Sequence, residues 1–173
     1  VVLPEKYRVE LIDGFIYVME SPTYDHQEFS GWLLFEMMLF VRKNGGKCIP
    51  LAAPIDVQLD KNDKTMIVPD IIVVCDKDKI TKKRIVGAPE MIVEILSAST
   101  RKRDLTEKAE KYRKAGVKEY WIVDLEKERV IVYLFESDDP IKIYTFEDKV
   151  PVDIWDGKCE IDLREYKKEK LDF

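Results

Sequence analysis

Two acidic side chains each interrupt an apolar run of the chain. Asp70 lies within Val68–Val74, and Glu94 lies within Met91–Leu96. An ionised carboxylate in a buried strand costs several kcal/mol unless a cation or hydrogen-bond donors compensate it. The pair therefore suggests a shared metal ion. A buried salt bridge to a lysine or arginine is the alternative that these residues leave open.

The chemistry of the two acids indicates which metal such a site prefers. Neighbouring strands lie about 4.8 Å apart, so Asp70 and Glu94 can reach one cation at oxygen distances of about 2.0 to 2.6 Å. Hard oxygen ligands favour Mg²⁺ or Mn²⁺. The chain has a single histidine, His26, which excludes a zinc site built from several histidines.

A lysine with the right spacing follows the second acid. Asp104, Lys108 and Tyr112 repeat at i, i+4 and i+8, so they share one face of a helix, and one face of that helix must meet the sheet. A lysine on this face could reach the carboxylates and act on a nucleophilic water or on negative charge in a transition state. The alternative is an ordinary i, i+4 ion pair on a solvated face.

The elements that position these residues follow from periodicity and turn chemistry. An Asp-Gly turn predicts an N-terminal hairpin, a helix begins at the plausible N-cap Asp25, and a second helix is capped by Ser99 or Thr100. The order α-β-β-β-α-β follows, and we predict an α/β (α+β) fold with a central mixed sheet. The predicted segments are a hairpin over 7–19, a helix over 25–43, strands over 51–59, 67–75 and 90–96, a helix over 101–115, a strand over 120–123, a hairpin of 129–135 and 142–146, and a strand and charged helix within 152–173.

The composition places limits on function and location. A net charge of -5 over 173 residues argues against coating nucleic acid by bulk charge. No apolar run approaches the about 18 to 20 residues of a membrane span, and the start lacks the pattern of a signal peptide, so we expect a cytoplasmic protein. The cysteines are widely spaced without a Cys-x-x-Cys motif, which predicts reduced, buried thiols at Cys48, Cys75 and Cys159.

The motifs along the chain together resemble a known family. They are Tyr7–Gly14, His26-Gln27, Val68-Pro69-Asp70, Val93–Thr100, Arg103–Lys108, Tyr112–Val117 and Glu119–Asp124. This pattern resembles the PD-(D/E)XK nuclease superfamily and, within it, the Uma-two family of restriction-endonuclease-like proteins. The resemblance implies one restriction-endonuclease-like domain over 1–173, with a hairpin (1–24), a nuclease core (25–124) and a C-terminal β extension (125–173).

Carried over position by position, the resemblance implies a catalytic site. Asp70 and Glu94 would bind Mg²⁺ or Mn²⁺ and orient the attacking water. Leu96 occupies the position of the superfamily's motif lysine, so Lys108 is the candidate for a lysine relocated to the following helix. His26 is expected near the metal as a hydrogen-bonding group or phosphate contact, although a lone histidine at a helix start is more often a surface or capping residue.

Several further residues are weaker candidates. Glu10 is a candidate extra acid, with an exposed strand glutamate as the equal alternative, and Ser97 could place a hydroxyl near Glu94. Asp56 is interpreted as an outward-facing strand residue. Two basic clusters could contact phosphate, although such charge runs are usually solvated loops. These clusters are Lys82, Lys83 and Arg84, and Arg101, Lys102 and Arg103.

The resemblance thus implies a metal-dependent endonuclease that hydrolyses phosphodiester bonds, with DNA as the expected substrate. A catalytically inactive nuclease fold that serves as a binding or assembly module is one alternative, which Leu96 and the acidic net charge support. A hydrolase of RNA or of another phosphodiester is a further alternative. Cutting both strands would suit a homodimer, with an interface from C-terminal aromatic residues that are more often core. These residues are Tyr133, Phe135, Tyr144, Phe146 and Trp155.

Overall fold

The computed structural model describes residues 8–60, 63–97 and 100–169. The helical segments are α1 (Tyr24–Asn44), α2 (Arg101–Arg103), a π-helical turn (Asp104–Lys108), α3 (Ala109–Ala115), α4 (Leu163–Glu169) and two 3₁₀ turns (Lys77–Lys79 and Asp153–Trp155). The strands are β1 (Val9–Ile12), β2 (Phe15–Val18), β3 (Ile49–Ala52), β4 (Val57–Gln58), β5 (Met66–Ile67), β6 (Ile71–Val74), β7 (Ile85–Val86), β8 (Met91–Ile95), β9 (Glu119–Asp124), β10 (Arg129–Leu134), β11 (Ile141–Thr145), β12 (Lys149–Val152) and β13 (Cys159–Asp162).

A six-stranded mixed sheet forms the centre of the molecule. Its strand order is β11-β10-β9-β8-β6-β3, and the β8–β9 pair is parallel while its other pairs are antiparallel. Every residue of β6, β8 and β9 is buried, as expected for strands that are covered on both faces. The predicted mixed α/β fold with the order α-β-β-β-α-β is confirmed.

Two apolar cores cover the two faces of this sheet. On one face, Phe29 and Leu33 of α1 pack in the same cluster as Trp121 of β9. On the other face, Tyr112 of α3 packs in a cluster with Ile92 and with buried residues of a second sheet. The helix of residues 101–115 is therefore held against the sheet, which is the arrangement that brings its polar side chains toward the strands.

The second sheet has five strands in the order β2-β1-β5-β4-β7. The N-terminal hairpin predicted by Asp13-Gly14 is its β1–β2 pair, although Tyr7 lies outside the described residues. One continuous strand over 51–59 was expected, and this expectation is wrong. A cis peptide bond between Ala53 and Pro54 lies in a bend that separates β3 of the central sheet from β4 of the second sheet.

The ends of the two principal helices differ in part from the sequence prediction. The N-cap of α1 is Thr23, not Asp25, because the Thr23 hydroxyl accepts a hydrogen bond from the backbone N–H of His26 at 3.3 Å. Gly45 ends α1 in the left-handed conformation. Thr100 lies at the N-cap position of the second helix without a side-chain capping bond, and Ser99 lies outside the described residues.

The cysteine prediction is wrong for two of the three residues. Cys48 and Cys75 form a disulfide bond. The antiparallel pairing of β3 with β6 places Ile49 opposite Val74, so the residues that flank them also meet. Cys159 is a free, buried thiol as expected, and burial raises its pKa to about 12.

The C-terminal segment extends the sheet and closes one core. β10 and β11 form the predicted hairpin, and β12 pairs with β13 ahead of α4, while residues 170–173 of the expected terminal helix lie outside the described residues. The aromatic side chains considered for an interface are in the apolar clusters, with Phe146 buried and the others partly buried against them. Across the described part of the chain, no helix is both long and apolar enough to cross a membrane.

Candidate active site

Asp70 and Glu94 belong to neighbouring parts of the central sheet and line one cleft. Asp70 immediately precedes β6 and Glu94 lies within β8, and these two strands pair with Ile71 opposite Val93. Both acids line a cleft of about 810 Å³. Its wall also includes the segment that leads into α1, the Ala53-Pro54 bend and the start of the second helix.

One carboxylate oxygen of Asp70 has two hydrogen-bonding partners. Its Oδ2 accepts from the backbone N–H of Ile95 at 2.7 Å and lies 3.2 Å from Nε2 of His26. No hydrogen bond among the described residues engages the other oxygen, Oδ1. The carboxylate is therefore fixed in orientation, and Oδ1 has no donor among the described residues.

Glu94 shows the same arrangement in a more deeply buried position. Its Oε1 lies 2.9 Å from Nζ of Lys108 and accepts a hydrogen bond from the hydroxyl of Tyr112 at 2.6 Å. Within the described part of the chain, Oε2 has no hydrogen-bond donor. Burial raises the pKa of Glu94 well above its ordinary value, against the opposing effect of Lys108.

Lys108 is the buried cation at the centre of the cluster. Its Nζ lies 3.0 Å from Oε1 of Glu10, 2.9 Å from Oε1 of Glu94 and 3.4 Å from Oδ1 of Asp104. Burial alone would lower the pKa of Lys108, but the negative charges of Glu94, Glu10 and Asp104 outweigh it and raise the pKa. Lys108 therefore stays protonated, and the predicted face of Asp104, Lys108 and Tyr112 is buried against the sheet, not solvated.

Glu10 is buried, not exposed. Only 1% of its surface is accessible. Its Oε1 accepts from the backbone N–H of Val68 at 3.1 Å in addition to contacting Lys108, and its Oε2 lies 3.9 Å from Arg103. Arg103 itself stacks on the ring of Tyr17, 3.8 Å from its centroid. The N-terminal hairpin thus supplies an acid to the same cluster as the central sheet.

His26 lies beside Asp70 at the mouth of the cleft. Burial lowers its pKa, but the hydrogen bond and charge of Asp70 outweigh this effect and raise the pKa. The other ring nitrogen, Nδ1, is buried and has no hydrogen-bond partner in the described structure. His26 is therefore positioned to hydrogen-bond the carboxylate of Asp70.

The cluster consists of four acidic side chains and their cationic neighbours. Glu10, Glu94 and Asp104 surround the buried ammonium of Lys108, while Asp70 lies beside His26. The carboxylate oxygens of Asp70 and Glu94 that have no donor among the described residues fit a divalent cation of the Mg²⁺ type, which prefers oxygen ligands and keeps several waters. Among residues 8–60, 63–97 and 100–169, no three histidine, cysteine or acidic side chains form a group that could hold a metal.

The remaining candidates lie in three different environments. Leu96 lines the cleft two residues after Glu94, where it offers no charge. The hydroxyl of Ser97 lies 3.0 Å from that of Thr100. Asp56 is exposed on the bend before β4.

The two predicted basic clusters occupy different surfaces. Arg101 lines the cleft, but its guanidinium already pairs with Asp124 and Glu126, at 2.9 and 3.2 Å. Lys102 is exposed, and Arg103 contacts Glu10 as described above. The other cluster flanks β7 and does not line the cleft, and it consists of Lys82, Lys83 and Arg84.

Sequence reasoning placed two further residues on the correct helix face without assigning them a role in the site. Tyr112 donates to Glu94, and Asp104 approaches Lys108. The signal available in the sequence was the four-residue spacing that places Asp104, Lys108 and Tyr112 on one helix face. The π-helical turn that contains Asp104 and Lys108 was not predicted, and such turns occur often at functional sites.

Comparison with known proteins identifies a protein family and a solved structure that are similar to this chain. The Uma2 family, described as "Putative restriction endonuclease", matches residues 2–154. A crystal structure from Anabaena variabilis, described as a "putative nuclease belonging to DUF820", superposes with a TM-score of 0.77 at 20% identity, covering 95% of this chain and 94% of that one. At this identity the structural match shows a shared fold, and no curated protein matches the chain. Because the family match spans most of the sequence, including every residue of the acid and lysine cluster, the chain belongs to the Uma2 family of restriction-endonuclease-like proteins.

Proposed function

We propose that this protein is a metal-dependent endonuclease that hydrolyses phosphodiester bonds in DNA. One observation carries the proposal. Asp70 and Glu94 each have one oxygen held by two donors and one oxygen without a donor among the described residues, and both acids line the same cleft. A carboxylate oxygen that has no protein donor and belongs to a residue lining a cleft is available to a cation.

Asp70 and Glu94 would hold Mg²⁺ or Mn²⁺ through these free oxygens. When bound, the cation supplies charge stabilisation at the phosphate and lowers the pKa of a coordinated water. Asp70 keeps its orientation through Ile95 and His26, and Glu94 keeps its orientation through Lys108 and Tyr112.

Lys108 serves as a fixed positive charge in this proposal. Because its pKa is raised, it is a poor general base at neutral pH. Its ammonium group instead offsets the negative charge that develops at the phosphate. His26, with a raised pKa, provides a second donor at the mouth of the cleft.

The decisive experiment is nicking of supercoiled plasmid in Mn²⁺, Mg²⁺ or EDTA by the wild type and by Asp70→Ala, Glu94→Ala and Lys108→Ala. We expect metal-dependent nicking that all three substitutions abolish. Loss in the two acid variants alone would remove Lys108 from the mechanism. A folded wild type that neither nicks DNA nor binds Mn²⁺ in calorimetry would favour the catalytically inactive binding module that Leu96 suggests. Cleavage of RNA but not of DNA would make RNA the substrate.

A further inference from the structure

Tyr112 is fully buried and makes one polar contact of consequence. Its hydroxyl donates to Oε1 of Glu94 at 2.6 Å. Its ring packs edge-on against Tyr120, with centroids 4.8 Å apart and an interplanar angle of 81°. Since α3 and this ring contact hold the side chain, the phenol reaches Glu94 from a fixed direction.

The phenol shares its acceptor with the ammonium of Lys108, which lies 2.9 Å from the same oxygen. Two donors on Oε1 leave little capacity on this atom for a cation. The second oxygen, Oε2, has no donor among the described residues. Asp70 presents the same pattern, with Ile95 and His26 on Oδ2.

We propose that Tyr112 is a positioning residue that, together with Lys108, restricts Glu94 to binding the cation through Oε2 alone. The inference rests on the proposed function, because it requires a cation at Asp70 and Glu94. It extends that function by assigning a role to a residue that would not touch the metal or the substrate.

Single-oxygen binding by both acids affects which cation the site accepts. Mg²⁺ and Mn²⁺ form compact octahedral centres with several waters, whereas Ca²⁺ takes six to eight oxygens, often from two-oxygen carboxylates. An acid that cannot offer both oxygens therefore disfavours Ca²⁺. Removing the phenol frees Glu94 to rotate toward two-oxygen binding.

The test is calorimetric binding of Mn²⁺ and Ca²⁺ to the wild type and to Tyr112→Phe. We expect the Mn²⁺ dissociation constant to rise about tenfold in the variant, the usual effect of removing a hydrogen bond that orients a metal ligand. We expect Ca²⁺ affinity to change less, so that the preference for Mn²⁺ falls. The control is Tyr166→Phe, which also removes a phenol bonded to a carboxylate, that of Glu28 at 3.3 Å, away from the cleft.

Unchanged Mn²⁺ affinity in a folded Tyr112→Phe protein would overturn the inference while leaving the nuclease proposal intact. Absence of Mn²⁺ binding by the wild type would overturn both. The wild type also provides a test that does not depend on the variant's folding, since it should bind Ca²⁺ at least about tenfold more weakly than Mn²⁺. Equal affinities would contradict single-oxygen binding.

Discussion

Two buried glutamates on adjacent parallel strands have opposite surroundings. Glu94 of β8 is 4% exposed and Glu119 of β9 is 1% exposed. Both oxygens of Glu119 are satisfied, Oε1 by the indole N–H of Trp121 at 2.7 Å and Oε2 by the backbone N–H of Ile154 at 2.9 Å. Glu94 has two donors on Oε1 and none, among the described residues, on Oε2.

Burial alone therefore does not distinguish the candidate metal ligand Glu94 from an acid with a structural role. Burial raises the pKa of both groups, well above the ordinary value for Glu94 and to about 7 for Glu119. The distinction lies in the free oxygen, the neighbouring cation Lys108 and the cleft that Glu94 lines. Glu119 ties β9 to the 3₁₀ turn at Asp153–Trp155 and does not line the cleft.

The largest expected difference between the two acids is in activity. Glu94→Gln should lower plasmid nicking at least about a hundredfold, because the amide cannot hold a divalent cation as a carboxylate does. Glu119→Gln should nick within about twofold of the wild type at a temperature where it stays folded. Nicking rates and Mn²⁺ calorimetry on the two variants measure this contrast. Equal losses of nicking activity in both variants would contradict the distinction between Glu94 and Glu119.

Among the predicted changes in stability, removal of the buried ammonium group of Lys108 should have the largest effect. Lys108→Met leaves Glu10, Glu94 and Asp104 without their common counterion, so we expect the free energy of unfolding to fall by about 3 to 5 kcal/mol. Urea unfolding measures the change, and Mn²⁺ should restore part of the loss by replacing the missing charge. The matched control is Lys79→Met, whose partly exposed pair with Glu90 should be worth about 1 kcal/mol.

Glu119 should make stability depend on pH. Its pKa rises from an ordinary 4.5 to about 7 through burial, so the folded chain holds this proton more tightly than the unfolded chain. Its contribution to the free energy of unfolding is therefore complete below about pH 4.5 and is lost as the pH rises to 7. Urea unfolding at several pH values should show this slope in the wild type and a flatter slope in Glu119→Gln. A steeper slope in the variant would contradict the assignment.

The smallest expected effect lies away from the cleft. Lys82 and Lys83 are exposed near β7 and do not line the cleft, so changing both to alanine should weaken DNA binding only about twofold to fourfold. Binding by fluorescence anisotropy across a range of salt concentrations measures this effect. A loss as large as that of Glu94→Gln in the nicking assay would mean that DNA crosses this surface to reach the acids.

The sequence predicted the parts of the fold that depend on local patterns. The apolar run around Glu94 identified β8, and the spacing of Asp104, Lys108 and Tyr112 identified the helix face that meets it. These signals lie within a few residues of each other, so no long-range information was needed. The predicted strand over 67–75 is correct only for β6, because residues 66–67 form β5 of the second sheet and Asp70 lies between the two strands.

The sequence did not determine features that depend on distant contacts. Burial of Glu10 follows from a contact with Lys108, 98 residues later in the chain, which periodicity cannot reveal. The Cys48–Cys75 bond depends on the register of β3 against β6, and the bend at Ala53-Pro54 separates two strands that pair in different sheets. In each case tertiary pairing decided the outcome.

The site is divided between the central sheet and the helical segment that connects β8 to β9. Glu94 is on β8 and Asp70 directly precedes β6, whereas Lys108 and Tyr112 are on that segment, which lies across one face of the sheet. A partly open molecule in which this segment detaches while the sheet persists retains most of its secondary structure but has no complete site. The proposed nicking activity should therefore report local opening, and on heating it should fail before the circular dichroism of the sheet changes.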